Sequence, residues 1–168
     1  QRVLTPVVLK GHDMVLIGNV MLKFFAAHAL DAIIQDAMYR KATTDGLTGL
    51  FNKQYLADAL ALQFRVSRQS VRPLSVVMFD LDLFKNTNDK LGHVAGDQVL
   101  RGMADRVKRV LRKDDIFARY GGEEFAIILP NTEIDVAREL GERARLACET
   151  TPFAFQEDGL GRHQTVEH

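Results

Sequence analysis

Two pairs of carboxylates stand out by where they fall. Asp80 and Asp82 close a near-continuous apolar run, Leu74 to Asp82, of the kind that suits a central strand buried on both faces. Carboxylates at the end of a buried strand are costly unless paired, hydrogen-bonded or bound to a cation, and residues two apart on a strand point to one face. The strand end is therefore a candidate metal site, although an Asp here equally suits the cap of the following turn. The second pair, Glu123 and Glu124, follows Gly121 and Gly122 and precedes an apolar strand. Gly-Gly is a good hairpin turn, and glycine also lets a ligand approach the backbone closely. Glutamates are the odd choice at such a tip and suggest a divalent cation. If the two strands are neighbours, Asp80 and Glu124 can converge on one ion, and hard oxygen donors favour Mg²⁺ with phosphates completing its shell.

Between the acids lies Phe84-Lys85-Asn86-Thr87-Asn88-Asp89-Lys90-Leu91-Gly92-His93-Val94-Ala95-Gly96-Asp97. A lysine near a metal-bound triphosphate supplies a compact positive charge, and Asn and Asp side chains read a base edge through paired donors and acceptors. The Asp97 carboxylate is a natural acceptor for guanine N1–H and N2–H; the same residue also suits the N-cap of the helix that follows. His93, between Gly92 and Val94, stands where histidines are more often structural than catalytic.

The elements that must carry these residues can be read from periodicity. Met14 to Ile17 and Val20 to Phe25 are apolar around the turn pair Gly18-Asn19, which reads as a hairpin. From Ala26 to Lys41 a helix is expected with Ala26, Leu30, Ile33, Ile34, Ala37 and Met38 on one seam. It ends at Thr43-Thr44-Asp45-Gly46 and reads as a stalk, its seam seeking a partner helix or its own domain. Beyond Asp45, helix and strand alternate. Asn52 caps a helix carrying Tyr55, Leu56, Ala59, Leu60 and Phe64, and Ser67 to Pro73 is a loop. The strand to Asp82 follows, and Gly96-Asp97 opens a helix with Val99, Leu100, Met103, Ala104, Val107, Val110 and Leu111 at 3/4 spacing. Strands over Ile116–Tyr120 and Phe125–Leu129 flank the acidic turn, and a helix runs from Thr132 to Cys148.

Composition sets the outer bounds. At 168 residues, 46% hydrophobic and 26% charged, the chain is ordinary globular material rather than a disordered, collagen-like or disulfide-dense class. Lys plus Arg and Asp plus Glu number 22 each, so no overall basic field holds nucleic acid or an anionic membrane, and phosphate binding must be local. The single cysteine, Cys148, forms no internal disulfide. Neither a signal peptide nor an apolar run of bilayer-spanning length is present, so a reducing, cytoplasmic setting is expected.

Together, Phe79-Asp-Leu-Asp-Leu-Phe-Lys85, Asn88-Asp-Lys-Leu-Gly-His-Val-Ala-Gly-Asp97 and Arg119-Tyr-Gly-Gly-Glu-Glu-Phe125 resemble the GGDEF family of diguanylate cyclases in its Gly-Gly-Glu-Glu-Phe form. Asp45-Gly-Leu-Thr-Gly-Leu-Phe-Asn-Lys53 is similar to the family's opening motif, with lysine where arginine is usual. The resemblance covers about Thr44 to Phe153. It implies an α/β fold, a palm-like, mainly antiparallel central sheet with flanking helices, as in adenylyl cyclases and polymerase palms. It also implies condensation of two GTP into cyclic di-GMP and two pyrophosphates, with Mg²⁺ or Mn²⁺. By motif position Asp80, Glu124 and the Leu81 carbonyl hold the metal. Glu123 assists deprotonation of the 3′-hydroxyl and reaches a metal, Lys85 stabilises the triphosphate, and Asn88 and Asp97 read guanine. His93, Phe84 and Gly122 lie in the substrate site. Arg112 and Asp115 match the Arg-x-x-Asp product-inhibition motif, although such a pair also occurs as an ordinary helix end.

The two-fold symmetric product requires two domains facing each other, so a homodimer set by the stalk is implied. The segment Gly11 to Phe24 resembles the last strands of a forkhead-associated domain, without its phosphothreonine-reading loops. The expected organisation is a hairpin over 1–25, a stalk over 26–43 and the cyclase domain over 44–168. After Phe155 the family continues into another strand and a last helix with Lys and Arg for the triphosphate. Here Gln164-Thr-Val runs into Glu-His, so this piece is expected to lack that clamp and to be inactive by itself. The alternative is a non-catalytic receptor binding cyclic di-GMP through Arg112 and Asp115, in which the acids at Asp80 and Glu123-Glu124 would be expected to go first. A purely structural dimerisation module leaves the clustered acids unexplained.

Overall fold

The structure, a computed structural model, describes residues 7–8, 14–17, 20–24, 29–150, 152–156 and 163–166. The chain divides into two compact units, Gln1–Ala42 and Thr43–His168. In the first, β1 (Met14–Ile17) pairs antiparallel with β2 (Val20–Lys23); the Gly18-Asn19 turn pair lies outside the described residues. Helix α1 (Ala29–Thr43) follows, and the first residues expected of the stalk, 26–28, are likewise outside. Its seam residues Ile33, Ile34 and Met38 are exposed.

The second unit is built on a three-stranded antiparallel sheet in the order β3 (Leu74–Asp80), β5 (Glu124–Pro130), β4 (Ile116–Gly121). β5 is the central strand, and its side chains are buried on both faces, which is why Phe125-Ala-Ile-Ile-Leu129 is uniformly apolar. Phe125, Ile127, Leu129 and Phe117 face a core completed by α3 (Phe84–Lys108) and α4 (Ile134–Glu149). Ala126, Ile128 and Ala118 face Leu56 and Ala59 of α2 (Lys53–Ser70). The result is a sheet between two helical layers, in keeping with the expected α/β class.

Five sequence expectations are corrected. The strand expected over Leu74–Asp82 ends at Asp80, because Leu81 to Leu83 turn into α3, with Leu83 in the left-handed region at φ 56°. It is also an edge strand of the described sheet rather than a central one: Val76 and Met78 are exposed, whereas their β5 partners Ile128 and Ala126 are buried. The loop expected from Ser67 instead continues α2 to Ser70, where Val71 closes the helix at φ 52° and donates its amide to the Ser67 carbonyl. Helix α3 begins at Phe84, not at Gly96-Asp97. Gly92, at φ 83° and ψ 162°, breaks it internally, a conformation that glycine adopts freely. Asp97 therefore sits within the helical span and is not its N-cap. The N-cap role of Asn52 holds, since its side chain accepts from the Tyr55 amide at 2.9 Å.

The outer edge of β4 is covered by the chain at Phe51, whose amide donates to the Phe117 carbonyl at 3.2 Å while its carbonyl accepts from the Arg119 amide at 2.9 Å. Past α4, β6 (Phe153–Gln156) pairs with β7 (His163–Val166) in a separate two-stranded sheet. Phe153 anchors it against α3: the Arg106 guanidinium lies 3.8 Å from the ring centroid and donates to the Cys148 and Pro152 carbonyls, both at 2.9 Å.

Candidate active site

Strand register brings the two acidic pairs together. Val77, Phe79 and Asp80 oppose Ile127, Phe125 and Glu124, so the last pair of the β3–β5 ladder is Asp80 against Glu124. Directly opposed residues on antiparallel strands hold their Cβ atoms about 5 Å apart, near enough for two carboxylates to share one cation. On the opposite face of the sheet, one residue further in, Phe79, Phe117 and Phe125 cluster, with ring centroids 5.6 Å (79–125), 5.9 Å (117–125) and 6.1 Å (79–117) apart. Leu81 follows Asp80, and its carbonyl accepts the Phe84 amide at 3.4 Å. Asp82 is exposed in the same turn.

The hairpin between β4 and β5 pairs Gly121 with Glu124 and leaves Gly122 and Glu123 as the loop residues. Gly122 adopts φ 37°, which a two-residue hairpin needs and a side chain would disfavour. Glu123 is half-buried and Glu124 exposed. Among the described residues no group of three His, Cys, Asp or Glu side chains is arranged to hold an ion by itself. A pair of carboxylates with a nearby carbonyl is the donor set of a hard cation that keeps waters and takes the rest of its shell from a bound phosphate, as Mg²⁺ does.

The hairpin is held by a latch that the sequence reading did not assign. The Arg119 guanidinium donates to the Gly122 carbonyl at 2.6 and 2.9 Å and to the Asp45 carboxylate at 3.2 and 3.3 Å. Asp45 also accepts from the Thr48 hydroxyl at 2.7 Å and the Thr48 amide at 2.9 Å. Burial pushes the Asp45 carboxyl up, but the Thr48 hydrogen bonds and the hydrogen bond and charge of Arg119 outweigh it and hold the group below the usual carboxylate range. Asp45 opens the Asp45–Lys53 motif and Arg119 the Arg119–Phe125 motif. Their pairing across 74 positions of chain leaves no local signal in spacing. Nearby, Lys53 sits 4.1 Å from the Tyr120 ring centroid, on the residue that bulges before the hairpin.

The remaining candidates lie along α3. Phe84 is buried in the core at its first turn, and Lys85 is exposed beside it. Asn88 is half-buried; His93 is exposed one residue past the Gly92 break; Asp97 is half-buried. Phe84 and Lys85 thus share the helix start that follows the Asp80 turn, while Asn88 and Asp97 lie on either side of the break. Arg112 and Asp115 stand apart from the hairpin tip, at the other end of β4. The Arg112 amide donates to Asp115 Oδ2 at 2.7 Å and the Asp115 amide to the Arg112 carbonyl at 3.2 Å, closing a tight turn that leaves Arg112 exposed.

Known proteins resemble the chain in sequence and in fold. A family model described as diguanylate cyclase, GGDEF domain, matches residues 42–168. The chain is 40% identical over 121 residues to the diguanylate cyclase DgcP of Pseudomonas aeruginosa, covering 72% of this chain and 18% of that protein. It is 40% identical over 112 residues to the response regulator PleD of Caulobacter vibrioides, covering 67% of this chain and 25% of that protein. The chain therefore spans a quarter or less of these two relatives. The crystal structure of the GGDEF domain of DgcB from Caulobacter crescentus, in complex with c-di-GMP, superposes with a TM-score of 0.66 at 34% identity, covering 73% of this chain and 68% of that one.

Proposed function

The chain belongs to the GGDEF domain family of diguanylate cyclases, and from that premise we propose that it is the catalytic domain of an enzyme condensing two GTP into cyclic di-GMP and two pyrophosphates. The observation that carries the reading is the register pair Asp80–Glu124 at the open end of the sheet, beside a hairpin whose shape is fixed by the Arg119–Asp45 latch. Asp80, Glu124 and the Leu81 carbonyl would hold Mg²⁺ or Mn²⁺, which neutralises phosphate charge and polarises the α-phosphate when bound.

The rest is positioning by this chain's own groups. Lys85 pairs with the triphosphate, and the amide of Asn88 and carboxylate of Asp97 hold the guanine edge, with His93 and Phe84 flanking them. Glu123 accepts the proton of the 3′-hydroxyl as its oxygen bonds the α-phosphate of a second GTP and pyrophosphate leaves. Doing this twice needs two domains face to face, so the working form is a homodimer, and the exposed seam of α1 is suited to set it. Arg112 and Asp115 form a separate site at which the product inhibits. The test is direct: a protein carrying this chain, incubated with GTP and Mg²⁺, yields cyclic di-GMP and pyrophosphate, and Asp80→Asn does not. Wild-type protein that binds GTP but forms no cyclic di-GMP would favour the receptor alternative.

A further inference from the structure

Two glycines of α3 lie under neighbouring side chains. At Gly102 an added Cβ would meet the Phe153 ring at 3.0 and 3.1 Å, a packing contact within the core. At Gly96, which is buried, it would land on Asn88 Oδ1, with Asn88 Cγ at 3.0 Å and Phe84 Cζ at 3.2 Å. Asn88 and Gly96 are eight residues apart. In an unbroken helix that is about 12 Å of axial rise, too far for an asparagine to reach. The break at Gly92 folds one half of the helix back on the other and makes the contact possible.

We propose that Gly96 is a positioning residue for base recognition: the absence of its side chain is the socket in which the Asn88 carboxamide rests, setting its aim relative to Asp97, the next residue in the chain. The inference rests on the reading of Asn88 and Asp97 as the groups that hold guanine. The neighbours decide what yields if the socket is filled. Phe84 is a buried core ring with little room to move, whereas Asn88 is short, half-buried and able to rotate outward. A methyl at position 96 therefore turns the carboxamide away from the base and leaves the fold standing.

The test is calorimetric titration of GTP and of ATP into the wild-type chain and four variants, Gly96→Ala, Asn88→Ala, their double and Gly102→Ala, each with its melting temperature. Losing a base-reading hydrogen bond weakens GTP by about tenfold, so Gly96→Ala and Asn88→Ala should each lower GTP affinity by that order while ATP changes little. The double should be no worse than Asn88→Ala, because no reader remains to displace. Gly102→Ala should lower the melting temperature and leave the GTP-to-ATP ratio alone. A wild-type ratio in Gly96→Ala with a reduced one in Asn88→Ala would overturn the socket, as would additive losses in the double. Should Gly96→Ala alone fail to fold, the socket requires the double to fold, and its misfolding too would refute it. An unchanged ratio in Asn88→Ala overturns the base-reader assignment itself, and the socket with it.

Discussion

At the scale of single residues, the signature hairpin owes its shape to a chain of contacts from Thr48 through Asp45 and Arg119 to the Gly122 carbonyl. The Arg119 and Asp45 side chains are only 16% and 24% exposed, so the pair is shielded from the screening that makes surface ion pairs worth little. Replacing Asp45 with Ala leaves a shielded guanidinium without its carboxylate and should cost about 1–3 kcal/mol, read as a lower denaturation midpoint. The carboxyl is held below its ordinary range, so the folded state gives up its proton more readily than the unfolded state. Its contribution is whole above about pH 4 and lost as the pH falls below that value. Asp45→Ala should accordingly lose less stability than wild type on acidification below about pH 4; parallel acid curves would remove the latch from the account. The acids of the hairpin, Asp80 and the Phe84 to Asp97 segment were all legible from residue type and spacing. The latch was not, because hydrogen bonds across 74 residues depend on the sheet having already formed.

At the scale of elements, most helices and strands follow from periodicity and caps, and the misplaced boundaries have specific physical causes. Val71 ends α2 with a β-branched side chain at φ 52°, a conformation that costs about 1–2 kcal/mol outside glycine, and no sequence rule expects valine there. Val71 is 92% exposed, so little packing is at stake. Val71→Gly should raise stability by about 0.5–1 kcal/mol after the added freedom of the unfolded chain is deducted, and a lower melting temperature would argue against the left-handed cap. The 3/4 apolar spacing that marks this helix in the sequence begins only after Gly96-Asp97, so its first turns carry no such signal. In fact only Gly92 leaves helical geometry. The β3 run is apolar enough for a central strand, yet β5, buried on both faces, occupies that place. Backbone amides of β5 should exchange with solvent more slowly than those of β3 that point away from β5; equal protection along both edges of β3 would contradict the edge placement.

For the molecule as a whole, the proposed product, built from two nucleotides, would need two such domains facing each other. The exposed Ile33, Ile34 and Met38 of α1, at 65%, 44% and 67%, lie before the second unit in the chain as a candidate apolar seam. Ile34→Asp should shift the protein toward monomer in sedimentation and lower cyclic di-GMP formation severalfold, with GTP affinity per chain unchanged; full activity in a demonstrated monomer would rule out the stalk as the dimerising element. Among the described residues no helix is long and apolar enough to cross a membrane.

On the proposed function, Asp80 and Glu124 jointly hold a divalent cation for the nucleotide's phosphates. Titrating GTP with Mg²⁺ present, and again with the metal chelated, tests it in wild type and in Glu124→Gln. Chelation should weaken GTP in the wild type by an order of magnitude or more. Glu124→Gln should lack most of that metal-dependent gain while keeping the metal-free affinity, since a neutral amide is a poorer ligand for a hard cation. GTP affinity that is indifferent to chelator in the wild type, or equally metal-dependent in Glu124→Gln, would contradict it.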